Sequence, residues 1–234
     1  KEIYPSLEGG KSAFGVKEER TAPRFGTDRG ETASKQGLFL PLTEQERIYP
    51  RALGQYQDIY IVALSNEGII IVDQHNAHER VLFEQYEEID RKKKWPRKMA
   101  LLPILFELSA SQVLILENNQ AELEEVGFRV EAMGGRSFAL KEYPDVFKEE
   151  EAKDVFLSLL EEMGKEKIED KKRKILATLA CKTAIKAGLA LSLEKMNYLL
   201  EELFKTSNSS LCPHGRPVMV RIDRKEIERA LKRS

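Results

Sequence analysis

The rare metal-binding side chains of this sequence fall into three short segments. All three histidines and both cysteines of the 234 residues lie within residues 73–79, 180–182 and 212–217. Five scattered structural residues would rarely be sorted in this way. The pattern predicts that three segments distant in sequence contribute to one site.

Composition excludes several classes of protein. With 41% apolar and 33% charged residues, the chain suits one globular domain or two small ones. No apolar run approaches the ~20 residues that a membrane span needs, so no membrane partner is expected. The net charge of -1 argues against an autonomous nucleic-acid binder that relies on a basic surface. Two cysteines are too few for a disulfide framework and are expected to be reduced.

The first residues differ from the rest in composition. Residues 1–37 hold six of the fourteen glycines and only three Ile, Leu or Val residues. This composition is typical of a tether, and we assign residues 1–45 to a flexible linker. Because the sequence begins without a Met or the apolar region of a signal peptide, we expect a soluble fragment of a longer protein.

Apolar periodicity predicts a mixture of strands and helices. Residues 58–64 and 69–73 form two β-branched strands around a turn, and the second delivers Asp73 at its end. Residues 75–90 favour a helix, and the basic run 91–98 favours a solvated loop over a phosphate contact. The remaining expectations are a strand at 101–106, a helix at 109–126, a hairpin at 128–140, helices at 149–163, 175–186 and 192–204, a charged link up to Lys174, a loop at 206–215, a strand at 216–222 and a short helix from Asp223.

Two of the three segments hold potential ligands at close spacing. Residues 73–79 offer nitrogen and oxygen ligands, and residues 212–217 offer sulfur and nitrogen ligands. On a helix that begins near residue 75, His75 and Glu79 share one face, with Asp73 just before it. Glu84 lies about 140° round the helix from Glu79 and is assigned a supporting role. His78 is interpreted either as a further ligand or as an exposed histidine.

Cys212 and His214 lie in one tight loop, and a thiolate with an imidazole favours zinc over magnesium. Together with Cys181, Glu79, His75 and Asp73 they make six ligands, more than one tetrahedral zinc uses. Two ions, or one ion with an open position, would account for the excess. A structural zinc site is the simpler alternative, whereas the carboxylates favour catalysis because they suit hard ions that activate water.

These motifs resemble the C-terminal domain of the MutL family of DNA mismatch-repair proteins, in its endonuclease-bearing bacterial form. Asp73 to Glu84 resembles the signature D-Q-H-A-x-x-E-x-x-x-x-E, with Asn76 in place of Ala. Residues 180–182 are similar to an A-C-R/K element, and residues 212–217 read C-P-H-G-R-P in full. Residues 51–55 resemble the start of the domain, so the resemblance covers residues 48–234.

The resemblance implies a homodimeric α/β (α+β) domain in two parts. A dimerisation and endonuclease subdomain would comprise residues 46–102 and 181–234, with an external regulatory subdomain at 103–180 inserted between them. The linker would lead from an absent ATP-binding domain. The implied activity is metal-dependent nicking of duplex DNA in mismatch repair. The alternative function is a non-catalytic dimerisation module that holds a structural zinc.

The resemblance also implies roles for individual residues. Glu79, Cys212 and His214 would be the zinc set, and Asp73 and Glu79 the catalytic carboxylates, with Mn²⁺ or Mg²⁺ as the catalytic ion. Arg216 would steady a phosphate, or else form a salt bridge. The implied metal site consists of Asp73, His75, Glu79, Cys181, Cys212 and His214.

Family partners follow from the same resemblance. Residues 98–103 match the hydrophobic part of a sliding-clamp motif, Q-x-x-L-x-P, through Met99, Leu101 and Pro103, although Lys98 replaces the Gln. A buried strand is the alternative for Leu101 and Leu102. Duplex DNA, the N-terminal ATPase domain and MutS are the other expected partners, in the bacterial cytoplasm at the nucleoid.

Overall fold

A computed structural model describes residues 49–165 and 171–233. The tether and linker predicted at residues 1–45, the three residues that follow, and part of the charged link before Lys174 lie outside these ranges. In chain order the described elements are β1 (Arg51–Tyr56), β2 (Tyr60–Leu64), β3 (Gly68–Asp73), α1 (Gln74–Arg91), β4 (Arg97–Glu107), α2 (Ala110–Asn118), α3 (Gln120–Glu125), β5 (Arg129–Gly134), β6 (Ser137–Pro144), α4 (Glu149–Gly164), α5 (Lys171–Thr183), α6 (Leu193–Lys205), β7 (Met219–Asp223) and α7 (Arg224–Ala230). This mixture of helices and antiparallel sheets confirms the predicted α+β class.

The first sheet has the strand order β1-β2-β3-β7, and every neighbouring pair is antiparallel. The β2–β3 hairpin confirms the prediction, and its inward positions are buried where Ile61 pairs with Val72 and Ala63 with Ile70. Strand β1 was not predicted. Of its six residues only the small Ala52 is buried, so the strand carries little alternation of apolar and polar residues.

Helix α1 begins directly after β3, because Asp73 caps it. The Asp73 side chain accepts a 2.9 Å hydrogen bond from the Asn76 N–H. Ala77 and Val81 pack into the core beneath the first sheet, which we call the first core. The following turns of α1, from Leu82 to Tyr86, pack into a second core. The helix therefore belongs to both halves of the fold.

The second core lies against a sheet of order β4-β6-β5 and is built from α2, α4 and α5 as well. Strand β4 begins at Arg97, four residues earlier than expected, because Arg97 and Lys98 pair with the end of β6. Of the basic run 91–98, only the part between the end of α1 and the start of β4 is therefore a loop. The predicted boundary between residues 102 and 103 falls inside β4, and the division into two subdomains stays a prediction.

Three expected helices and strands have different bounds. The helix expected at 109–126 is two helices, because Asn119 leaves helical geometry and its side chain donates to the Ile115 carbonyl at 2.6 Å. Helix α5 starts at Lys171 and ends at Thr183, earlier than expected at both ends. Strand β7 starts at Met219, because the residues before it close a loop in which Leu211 bridges to Pro217.

The apolar middle of β4 faces solvent. Met99 is 76% exposed, Leu101 90% and Leu102 76%. The register between β4 and β6 shifts between Met99 and Ile104, so these residues leave the regular ladder. The alternative that Leu101 and Leu102 form a buried strand is therefore wrong.

No helix in the described ranges has the length and apolar character to span a lipid bilayer.

Candidate metal centre

Five of the six predicted ligands meet around one buried carboxylate. Among the described residues, two sets of ligand atoms each lie within 4.8 Å of one another, and Glu79 belongs to both. We call His75, Glu79 and Cys181 the helix group, because all three lie on α1 or α5. We call Glu79, Cys212 and His214 the loop group. The grouping of the histidines and cysteines into three short segments thus reflects a shared position in the fold.

The Glu79 side chain is 1% exposed, and its two oxygens face different partners. Oε1 lies 3.1 Å from His75 Nε2, and Oε2 lies 3.4 Å from His214 Nδ1. Burial alone would raise the pKa of the Glu79 carboxyl, but its contacts with His214 and His75 outweigh burial and hold the pKa well below its ordinary value. An ionised, buried carboxylate between two imidazole rings fits a cation site.

His75 has the hydrogen bonding of a metal-binding histidine. Its Nδ1 lies 2.8 Å from the Ile185 carbonyl, which only accepts, so Nδ1 carries a hydrogen. Nε2 is then the atom directed to Glu79, in the orientation that outer-shell carbonyls give to ligating imidazoles. Cys181 and Glu79 raise the pKa of His75 to about 10. A cation at Nε2 would therefore compete with a proton.

His78 belongs to neither group. It is 7% exposed, and its Nδ1 accepts the Ile185 N–H at 2.9 Å. Burial lowers the pKa of His78 to about 4, so the imidazole is neutral. The alternative of an exposed histidine is wrong, because the segment after α5 packs over this turn of α1. His75 and His78 together bind the carbonyl and the N–H of Ile185.

Asp73 is half-buried and lies outside both groups, where its described contact is the helix cap. Its assignment as a metal ligand or catalytic carboxylate stays a prediction. Cys212 is 1% exposed, and burial raises the pKa of its thiol. Cys181 and Cys212 are both free thiols.

The loop that carries Cys212 and His214 is tightly folded. The Cys212 N–H donates to the Arg216 carbonyl at 2.8 Å, and the Gly215 N–H returns a 2.9 Å bond to the Cys212 carbonyl. Gly215 has a φ of 78°, a left-handed conformation that favours glycine. The Arg216 side chain is exposed, and no carboxylate of the described residues lies within salt-bridge distance of it. The structure therefore does not support the salt-bridge alternative for Arg216.

Glu84 supports the same loop from α1. Its carboxylate accepts the Ser207 N–H at 2.9 and 3.0 Å and the Ser207 hydroxyl at 2.7 Å. The contact holds the chain that leads to Cys212. A supporting role for Glu84 thus has a geometric basis, although its part in any chemistry stays a prediction.

Two buried polar residues of α1 were missed by sequence reasoning. Gln74 is 0% exposed and donates to the carbonyls of Asp58 and Leu189 at 2.8 and 3.1 Å. Arg80 is 6% exposed and donates from Nε to the Leu211 carbonyl at 2.7 Å. The only signal in the sequence is that both directly adjoin candidate ligands, since a charged or amide side chain on a helix is usually solvated.

The fold and the site define a class: an α+β domain whose candidate divalent-metal centre lies between α1, the end of α5 and the loop before β7. A family model described as the MutL C terminal dimerisation domain matches residues 53–191, more than half of the chain. The chain belongs to this family, the C-terminal dimerisation domain of MutL.

Curated relatives are similar over most of the chain. The DNA mismatch repair protein MutL of Koribacter versatilis is 37% identical over 98% of this chain and 36% of its own length. The protein of the same name from Syntrophotalea carbinolica is 37% identical over 87% of the chain and 32% of its length. The protein of the same name from Clostridium acetobutylicum is 33% identical over 87% of the chain and 33% of its own length. The chain thus spans about a third of the length of these relatives.

Proposed function

We propose that this chain is a metal-dependent endonuclease domain that nicks duplex DNA in mismatch repair, and that it acts as a homodimer. The observation that carries the proposal is the Glu79 carboxylate, buried, ionised and shared by two groups of potential ligands. A single structural zinc uses four ligands, one fewer than the two groups supply together. A shared carboxylate supports a centre for two ions.

The donor sets indicate which ions would bind. The loop group combines thiolate, imidazole and carboxylate, a set that suits Zn²⁺ and leaves a fourth position open. The helix group offers a second set, to which Asp73 would add a hard oxygen suited to Mn²⁺ or Mg²⁺. When bound, such ions supply a Lewis acid for the scissile phosphate and a lower pKa for the attacking water.

The residues of the chain would orient the DNA and the ligands. The exposed Arg216 side chain, next to the loop group, would donate to phosphate oxygens. The Ile185 carbonyl would keep the His75 ring in one orientation. Because the net charge is -1, most of the affinity for DNA would come from other parts of the protein.

A specific observation favours the second candidate, a non-catalytic module with a structural zinc. Glu79 and Cys212 are each 1% exposed, and structural zinc sites are closed to solvent. His214 and His75, with side chains 29% and 28% exposed, keep one side of the centre open instead. This open side is the reason to prefer catalysis.

The test is nicking of supercoiled plasmid with added Mn²⁺ by the wild-type chain and Asp73→Asn at high protein concentration. Asparagine caps a helix as well as aspartate, so the variant removes the charge and keeps the start of α1. Asp154→Asn, an exposed position on α4, is the matched control. We expect nicking by the wild type and the control and its loss in Asp73→Asn.

Equal nicking by all three proteins would indicate a contaminant and overturn the role of Asp73. Absence of nicking in all three would favour the structural module, unless activity returned when the ATPase domain and a sliding clamp were added. A zinc content of one per chain with no response to Mn²⁺ would also favour the structural module.

For the homodimer, the outer face of the first sheet is the proposed contact. Leu53 is 50% exposed and Val220 60%, and the residues between them on this face are half-buried aliphatics. They are Val62, Leu64, Ile69 and Ile71. A sheet that is apolar on both faces normally has a partner on each, and α1 and α6 cover only the inner one. The family description names dimerisation, which supports this occupant.

The other partners are proposals of the same kind. Exposure of Met99, Leu101 and Pro103 on β4 supports a contact with a sliding clamp. Lys98 would add little to this contact, because its Nζ lies 2.6 Å from Asp145 Oδ1. Duplex DNA, the N-terminal ATPase domain and MutS complete the set, in the bacterial cytoplasm at the nucleoid.

A further inference from the structure

Three polar side chains on one stripe of α1 hold the loop that carries Cys212 and His214. Asn76, Arg80 and Glu84 are spaced four residues apart, so they lie one above another on the helix surface. We call them the polar ladder. Their contacts are Asn76 Nδ2 to the Pro217 carbonyl at 3.1 Å, Arg80 Nε to the Leu211 carbonyl at 2.7 Å, and Glu84 to Ser207 N–H at 2.9 and 3.0 Å.

The contacts of the ladder lie before and after the two loop ligands in the sequence. Going up the helix from Asn76 to Glu84, the contacts run backward along the chain from Pro217 to Ser207. Cys212 and His214 fall between the contacts of Asn76 and Arg80. The loop thus lies antiparallel to α1 and is fixed before and after its ligands.

A second stripe of α1 lies next to the ladder and carries the helix ligands. His75 and Glu79 each precede a ladder residue by one position, which is about 100° round the helix. Both stripes belong to one α-helix, so the distance from Glu79 to the ladder is set by helix geometry. Fixing the loop to the ladder therefore also fixes Cys212 and His214 relative to Glu79.

Arg80 is the central member and the most buried. It is 6% exposed, lies over the Phe83 ring at 5.6 Å, and its Nη1 is 3.7 Å from the Glu84 carboxylate. Its contact is to the carbonyl of the residue directly before Cys212. Loss of the guanidinium would leave that carbonyl without its donor and Glu84 without its counter-charge.

We propose that the polar ladder is the positioning device of the metal centre, acting on the metal through the placement of Cys212 and His214. This inference rests on the proposed function in so far as the centre binds a divalent ion. Arg80 carries most of the effect, and Asn76, where the signature has Ala, adds a contact near Pro217. None of the three residues ligates the ion in this assignment.

The test measures binding of the metal alone by the whole chain. Zn²⁺ affinity is obtained by competition with a chromophoric chelator, and Co²⁺ is added as a spectroscopic substitute that reports thiolate coordination. The variants are Arg80→Met, Arg80→Lys and Asn76→Ala. Arg91→Met is the matched control, because Arg91 lies on the same helix with its side chain 74% exposed.

We expect Arg80→Met to weaken Zn²⁺ binding by about 10–100-fold, the range typical of outer-shell residues, and to reduce the thiolate absorption of bound Co²⁺. Arg80→Lys can still donate to the Leu211 carbonyl and should recover part of the Zn²⁺ affinity and part of the Co²⁺ absorption. Asn76→Ala should weaken binding less, and Arg91→Met should match the wild type. A purely structural role for Arg80 would lower stability without changing the Co²⁺ spectrum of the folded protein.

Wild-type affinity and a wild-type Co²⁺ spectrum in Arg80→Met would overturn the ladder while leaving the metal centre intact. Failure of the wild type to bind either ion would instead overturn the metal centre, and the ladder with it. If Arg80→Met does not fold, the decision falls to Asn76→Ala combined with Glu84→Gln. Unchanged Zn²⁺ affinity in that double variant would overturn the proposal.

Discussion

The two hydrophobic cores of this domain differ in the side chains that fill them. In the described residues, the buried members of the first core are aliphatic apart from Met196 and Cys212, and none carries an aromatic ring. The second core contains a group of interacting rings, in which Phe156 lies 5.4 Å from Phe106 and 5.5 Å from Phe128 between ring centroids. Large rings bury more area per residue than aliphatic side chains do, so each ring of the second core removes more apolar surface from water.

The difference sets the aromatic second core apart from the region that holds the candidate metal ligands. All five clustered ligands lie at the edge of the first core, on α1, on the end of α5 and on the loop before β7. The first core covers one face of its sheet and leaves the other apolar face open to a partner. The second core has no member of the metal groups, although Ala180, the neighbour of Cys181, is one of its buried residues. Helix α1 joins the two regions.

The largest effect should follow from opening the second core. Phe156 is 0% exposed and contacts two other rings, so Phe156→Ala should lower the free energy of unfolding by about 3–5 kcal/mol. Urea denaturation measures this change. Because the site lies in the other region, the folded variant should bind Zn²⁺ as the wild type does.

Leu101→Ala is the control for that experiment, since Leu101 is 90% exposed and its truncation should change stability little. A large loss of Zn²⁺ affinity in folded Phe156→Ala would contradict the separation of the two regions. It would indicate that the second core sets the position of Cys181 through α5.

A smaller effect should follow from removing the shared carboxylate. With Zn²⁺ at about 100 times its Kd, the wild-type chain should gain about 2.7 kcal/mol in unfolding free energy. Glu79→Gln lacks the charge common to both groups and should gain almost none at the same concentration. Thermal unfolding with and without the ion measures both gains.

Glu88→Gln is the matched control, because the Glu88 side chain on the same helix is 47% exposed. Glu88→Gln should gain as much unfolding free energy from Zn²⁺ as the wild type does. An equal gain in Glu79→Gln would show that the ion binds elsewhere, and the interpretation of Glu79 as the common ligand would be wrong.

Local patterns could be predicted from the sequence, and side-chain partners distant in the sequence could not. The β2–β3 hairpin and the pairing of His75 with Glu79 follow from alternation and from the i,i+4 rule, which act within a few residues. Strand β1 escaped prediction because its neighbours hold it and its own pattern is weak. The burial of His78 depends on the Ile185 peptide, more than 100 positions away.

The motifs showed which residues would meet but not how they are held. Arg80 looks like an ordinary surface residue of a charged helix, and only the fold shows that it reaches the Leu211 carbonyl. The same limit applies to Asp73. Its place at the end of β3 was predicted, whereas its role as a helix cap required the contact with Asn76.

The smallest effect compares one helix cap in each region. Asp73 caps α1, and Ser109 caps α2, where its hydroxyl accepts the Gln112 N–H at 3.2 Å and the Gln112 side-chain oxygen accepts the Ser109 N–H at 2.9 Å. Asp73→Ala and Ser109→Ala should each lower stability by about 1 kcal/mol, while Asp73→Asn should lower it by a few tenths at most. If both caps contribute equally to stability and the nicking site lies in the first region, plasmid nicking should fail in both Asp73 variants and persist in Ser109→Ala. Nicking that followed stability, lost in both alanine variants and kept in Asp73→Asn, would make Asp73 a cap and nothing more.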